Sequence, residues 1–191
     1  LYFGEHMMGK ATGHPAVTTK FSLLSGREVI GDGHVFRYGS DGKLLREYRT
    51  EANGGLFGFL AVTSTVLADN DTRMIYISET GRRVMQYDLA NDRQLPDLAD
   101  FSKDPAVPMV LVMNPTPDGQ LLISTGKGFI LVDARSGKIL RDYPLEGMGW
   151  AAVNSSADGQ FAIIGNFFTG DIVKIRLSDA AIVARNNIGQ R

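Results

Sequence analysis

The chain has 191 residues with 20 basic and 21 acidic side chains, a formal net charge of −1, and 43% hydrophobic against 21% charged residues. That is a globular composition sized for one domain or two small ones, with no basic excess to draw it to nucleic acid or to an anionic membrane. It has no cysteine, which excludes disulfides, thiolate metal sites and a thiol nucleophile, and only three histidines, too few for a His-rich zinc centre.

Leu1-Tyr2-Phe3-Gly4 resembles the recognition site of a protease used to remove purification tags, without its usual Gln, and His6-Met7 resembles a cloning scar. Residues 1–7 therefore read as an expression-tag remnant and are set aside. A leader removed with the cloning would leave the compartment open between cytoplasm and periplasm or exterior. No apolar run approaches the roughly 20 residues of a membrane span, so no membrane insertion is expected.

Four units follow, each built from short apolar or alternating runs separated by turn residues. The first, residues 16–49, holds strands over 17–24, 28–30, 35–38 and 44–48. The second, 56–98, holds strands over 59–64, 74–78 and 83–88 and a weaker one over 94–98. Residues 98–106 have room for one helical turn at most. In the third unit, 107–145, the strands cover 109–113, 121–124, 129–133 and 139–143. Its turns are Pro117-Asp118-Gly119, Gly126-Lys127-Gly128 and Arg135-Ser136-Gly137. The fourth, 149–186, has strands over 151–154, 161–165, 172–177 and 181–185.

The units echo one another. Gly42-Lys43-Leu44-Leu45-Arg46-Glu47-Tyr48 returns as Gly137-Lys138-Ile139-Leu140-Arg141-Asp142-Tyr143, and Asn114-Pro115-Thr116-Pro117-Asp118-Gly119-Gln120 as Asn154-Ser155-Ser156-Ala157-Asp158-Gly159-Gln160. A repeat of about 45 residues made of four strands is the signature of a propeller blade. The expected fold is all-β: a β-propeller of about four blades, each of four antiparallel strands, A to D, alone or as part of a larger propeller. These phrases, with Gly165-Asn166-Phe167-Phe168-Thr169-Gly170-Asp171-Ile172-Val173, resemble the blades of YVTN, NHL and SMP-30/gluconolactonase-like propellers over nearly the whole chain from about residue 16. The resemblance implies a fold. Metal-dependent lactonases of that group use a first-blade Glu, but the surroundings of Glu28 do not match theirs, and no ligand role is carried onto it.

In such a meander the B–C turns and the D–A crossovers share one rim, where several blades converge on a channel mouth. The candidate ligand-binding residues there are Asp32 and His34, Asn53, Glu79 and Arg82, Lys127, Trp150, and Asn166 and Phe167. Phe57, Asp104 and Met148 lie on the same rim. Each also has a structural reading: Asp32 as a turn former between two glycines, Glu79 and Arg82 as a hairpin ion pair, Trp150 as filling between blades. Asp69-Asn70-Asp71, Asp118 and Asp158 read as A–B turns rather than metal ligands.

Two functions fit. The first is a non-catalytic scaffold binding a small molecule or protein at the channel mouth, with no cofactor. The alternative is an SMP-30- or lyase-like hydrolase, lactonase or lyase using Ca or Mg. No phosphate-binding glycine loop is present, and with few histidines, no cysteine and no nucleophile elbow neither covalent catalysis nor zinc is expected. Four blades without an obvious closing strand would expose apolar faces, so the chain is expected to lack part of its parent or to pair with another copy, two copies giving eight blades.

Overall fold

The computed structural model describes residues 2–4, 19–22, 27–30, 35–48, 63–78 and 82–189. Five short strands come first: β1 (Tyr2–Gly4), β2 (Thr19–Ser22), β3 (Arg27–Ile30), β4 (Val35–Tyr38) and β5 (Leu44–Tyr48). β6 (Thr63–Ala68), β7 (Arg73–Ser78), β8 (Arg83–Asp88) and β9 (Arg93–Asp100) form a four-stranded antiparallel meander. A second meander is β10 (Met113–Pro115), β11 (Gln120–Ser124), β12 (Gly128–Asp133) and β13 (Ile139–Pro144). The third is β14 (Trp150–Ser155), β15 (Phe161–Asn166), β16 (Asp171–Arg176) and β17 (Ile182–Asn187). No helix occurs among the described residues. All-β with repeated four-stranded antiparallel sheets, the architecture fits a propeller-like fold.

The chain divides into two compact units, Leu1–Ser102 and Lys103–Arg191. Each has a core between consecutive sheets. In the first, Val35 and Tyr48 pack with Met74, Tyr76, Met85, Tyr87 and Leu89. In the second, Leu122, Phe129 and Tyr143 pack with Trp150, Val153, Ala162, Ile164, Val173 and Ile175. The period of two is visible along β15, where Ala162, Ile164 and Asn166 are buried and Ile163 is exposed.

The repeated Arg-x-Tyr of the fourth strand ties one sheet to the next. In the first unit Arg46 lies over the Tyr48 ring and pairs with Asp92 at 3.0 Å. Tyr48 meets Tyr87 edge-on, and the Tyr87 hydroxyl donates to Asp92 at 2.9 Å. In the second unit Arg141 lies over Tyr143 and donates to the carbonyls of Leu177 and Ser178, while the Tyr143 hydroxyl donates to Leu177 O at 2.7 Å. The longest sequence repeat is thus a side-chain staple onto the next sheet's C–D turn.

Two backbone devices repeat with it. Four residues after each third strand ends, the chain enters left-handed φ: Gly42 at 77°, Asp92 at 53°, Gly137 at 71° and Ala180 at 64°. The fourth strand also carries a bulge that leaves Leu45, Leu140 and Val183 without a cross-strand partner. All three are exposed, which accounts for apolar residues on an otherwise polar edge.

The first unit of the sequence folds differently from expectation. Its four expected strands form, but not as one sheet: β2 and β3 pair alone, and β4 pairs with β5 and, on its other side, with β1. Tyr2–Gly4, from the segment read as a tag remnant, lies where β3 was expected. Ladder bonds are made by the backbone, so an open edge accepts any extended segment that reaches it. In the third unit of the sequence, strand A begins at Met113 rather than at 109: the backbone bonds of Leu111 and Val112 both converge on Ser124, whose hydroxyl also takes the Val112 amide at 3.0 Å. The weak fourth strand of the second unit of the sequence, β9, is the longest among the described residues, with residues 96–98 bulged outside the register.

Candidate functional site

The second unit brings two B–C turns and a D–A crossover together. The turn Thr125–Gly128 is closed by the Thr125 amide donating to Gly128 O at 2.9 Å. Gly126 exchanges hydrogen bonds with Trp150 in both directions at 3.1 Å, and its carbonyl also takes the Gly149 amide at 2.9 Å. The Phe167 amide then donates to Gly149 O at 3.0 Å. Lys127, Met148 and Phe167 therefore sit on neighbouring segments joined by backbone bonds. At about 5 Å per strand spacing, the ends of this row lie about 10 Å apart.

Asn166 organises the tip. Its side chain is 4% exposed. Its Nδ2 donates to Met148 O at 2.8 Å, and its Oδ1 accepts the amides of Phe168 at 3.0 Å and Thr169 at 3.1 Å. The Gly170 amide closes the turn onto Asn166 O at 2.9 Å. The two phenyl rings that follow are held outward, 64% and 58% exposed, with centroids 4.1 Å apart. The Phe168 ring lies against Gly149, where a Cβ would stand 2.3 Å from Cδ2. Met109 Sδ and Met148 Cε close over Gly126 in the same way, at 3.2 and 3.4 Å from the position of an added Cβ. Both glycines have positive φ, 101° at Gly149 and 80° at Gly126, which favours glycine at each, and at Gly149 an added Cβ would also collide with Phe168 and Asn166. The result is an apolar strip on an anchored backbone, flanked by the exposed Lys127 and Glu146.

Trp150 is 1% exposed, and its indole N–H donates to Glu146 O at 2.9 Å. It is part of the core under the rim and offers no surface to a ligand. Asn166 likewise spends its polar atoms on the turn. Lys127 and Phe167 are the two candidates of this unit with exposed side chains. Phe168 and Met109 were not singled out from sequence. Phe168 was signalled by its place beside Phe167 in one short turn, whereas Met109 carried no signal.

In the first unit, Arg82 adopts a φ of 52°, accepts the Phe101 amide at 3.0 Å and donates its guanidinium to Ser102 O. It fastens the end of β9 to the B–C turn. Asp32, His34, Asn53, Phe57 and Glu79 lie outside the described residues. Asp104 Oδ1 accepts the Ala106 amide at 2.9 Å. Burial, with a smaller push from Asp104, raises the Asp142 carboxyl above its usual range. Among the described residues no three His, Asp or Glu side chains gather as a metal ion requires. The A–B turn aspartates are engaged locally: Asp69 with Arg73, Asp118 with Thr116, and Asp158 with Ser156.

No protein family matches the chain, and no curated protein does. Among solved structures it is similar to a protein of unknown function from Bacteroides caccae, at 12% identity and a TM-score of 0.56 over 84% of this chain. The chain spans 56% of that protein's length. The likeness extends to the fold alone.

Proposed function

We propose that this chain is a non-catalytic binding scaffold of the YVTN/NHL/SMP-30-like propeller type, with its ligand surface on the rim that carries Phe167 and Phe168. The observation that carries the reading is the tip itself. Two adjacent phenylalanines stay exposed on a turn whose amides and anchoring carboxamide are all engaged. Large exposed apolar side chains on a fixed backbone are the usual anchors of recognition, because little ordering remains for the ligand to drive. The recurring turns and the Arg-x-Tyr staple support the propeller type.

The single Trp makes the test direct. Trp150 gives one indole N–H resonance and lies one backbone bond from the rim. A fragment screen read on that resonance should find ligands that shift it in the parent and fail to shift it in F167S/F168S. Ligands that bind equally to the double variant, or none that touch the resonance, would overturn the reading.

A further inference from the structure

The sheet β14–β17 packs one face against β10–β13. That face holds Val153, Ala162, Ile164, Val173 and Ile175, each at most 1% exposed. The side chains between them point the other way. The register puts Ile163 between Asn154 and Lys174, and Gly165 between Ala152 and Ile172. This second face is open. Ile163 is 42% exposed, Ala152 and Asn154 are exposed, and a Cβ added at Gly165 would meet nothing within 4 Å. Phe161 and Ile172 are half-buried, and Lys174 Nζ lies 4.0 Å from the centre of the Phe161 ring. On β10–β13, Leu122 and Phe129 are 0% exposed because β14–β17 covers them. Ile163 and Ile172 stand on the corresponding second and third strands. Repeats that stack sheet on sheet bury such a face under a further sheet of the same kind.

The chain carries a suitable counterpart on β4–β5. Val35 and Tyr48 turn into the first core, so Tyr38, Leu44 and Glu47 lie on the opposite side of the same two strands. Leu44 is 51% exposed, and Tyr38 and Glu47 are half-buried. The charges are complementary. The strands of the open face contribute Lys174 and Arg176 and no acid, whereas Glu47 is an acid. Arg176 is paired with Asp179 at 2.7 Å, so Lys174 is the charge a partner meets. Asp158, on the adjoining turn, feels Lys174 but is held by Ser156 and the Gln160 amide. We infer that the open face of β14–β17 docks on the β4–β5 sheet of a second copy of this chain, and that the reciprocal contact closes a two-fold dimer. The surface runs along the strands rather than at the B–C end, and neither it nor the rim reading depends on the other.

Sedimentation equilibrium of the full chain tests this, and a reversible dimer is expected. I163K alters a side chain exposed in the single chain, so it should weaken the dimer about tenfold or more while circular dichroism of the dilute monomer stays unchanged. K174E and E47K should each weaken it likewise, because each sets like charges at both contacts. Mixed in equal amounts, the two variants should associate as tightly as the parent, since each contact then joins opposite charges again. L44K is the second variant on the β4–β5 side and should also weaken the dimer about tenfold, whether or not E47K folds. A chain that stays monomeric at about 100 µM overturns the inference. So does a dimer unmoved by I163K and L44K, or a mixture of folded K174E and E47K that associates no better than either alone.

Discussion

Replacing Asn166 by Ala tests the claim that one buried carboxamide holds the tip. The substitution removes a donor to Met148 O at 2.8 Å and an acceptor for two amides at 3.0 and 3.1 Å. A hydrogen bond made in a folded protein is worth about 1 kcal/mol net, and a buried partner left unmade costs about 1–3 kcal/mol. Phe168 and Thr169 are exposed, so their amides regain water at little cost, whereas the Met148 carbonyl faces a side chain that is 4% exposed and has less access to it. The expected loss is about 2–3 kcal/mol. Urea unfolding followed by Trp150 emission is the assay, because the sole Trp sits in the second unit and reports on it. Lys127→Ala, on the exposed side of the same rim, serves as the control and should stay within about 0.5 kcal/mol. If N166A also stays within that limit, the tip is not held by Asn166 and the argument for a preorganised aromatic pair fails.

Ala180 occupies a left-handed turn position that glycine fills in two of the four equivalents, so A180G should stabilise the second unit by about 0.5–1 kcal/mol in the same urea assay. Gly128→Ala should destabilise by more than about 3 kcal/mol, since its Cβ would stand 2.1 Å from Tyr143 O, while G165A, with nothing within 4 Å, should be neutral or gain up to about 1 kcal/mol. Burial and the Asp92 carboxylate push the Tyr87 hydroxyl up to about 12, above its unfolded value near 10. A raised folded value stabilises below pH 10 and is lost as pH rises toward 12. Stability measured by circular dichroism should fall across that window, and Y87F should flatten part of the fall; burial raises Tyr143 too, so a remainder persists.

Much of the fold was legible because its determinants are local. The third-strand ends, the turn glycines and the Arg-x-Tyr repeat were all visible, and the strands expected over 35–38, 44–48 and 83–88 formed with the same bounds. What was not legible is non-local. Which strand pairs with β4 depends on which extended segment reaches its edge, and β1 and β3 offer the same backbone groups. At the site, Asn166 and Trp150 were found by position; filling between blades was one of the two readings of Trp150, whereas no pattern said that Asn166 would spend its polar atoms on its own turn.

The two ends of these sheets carry different kinds of information. At the C–D end, β4–β5 and the three four-stranded sheets meet the same demand, and the chain meets it the same way: a residue with φ between 53° and 77° four positions after the strand, with carboxylates such as Asp88 and Asp133 accepting turn amides. The Asn91 side chain together with the turn amides holds the Asp88 carboxyl below its usual range, and the Ser136 hydroxyl together with the turn amides does the same for Asp133. A constraint imposed by the sheet selects alike in each copy. At the B–C end the turns differ: Arg82 reaches across to Ser102, Thr125-Gly126-Lys127 is laced to Trp150, and Asn166 lifts two phenylalanines into solvent. Nothing in the meander requires this variety, since one short turn joins any two antiparallel strands. The residues that the architecture does not need are gathered at one end, and there, in the second unit, the exposed aromatic pair and the exposed Lys127 lie on neighbouring turns. It is this coincidence that supports the proposal of a binding surface on the rim of the second unit.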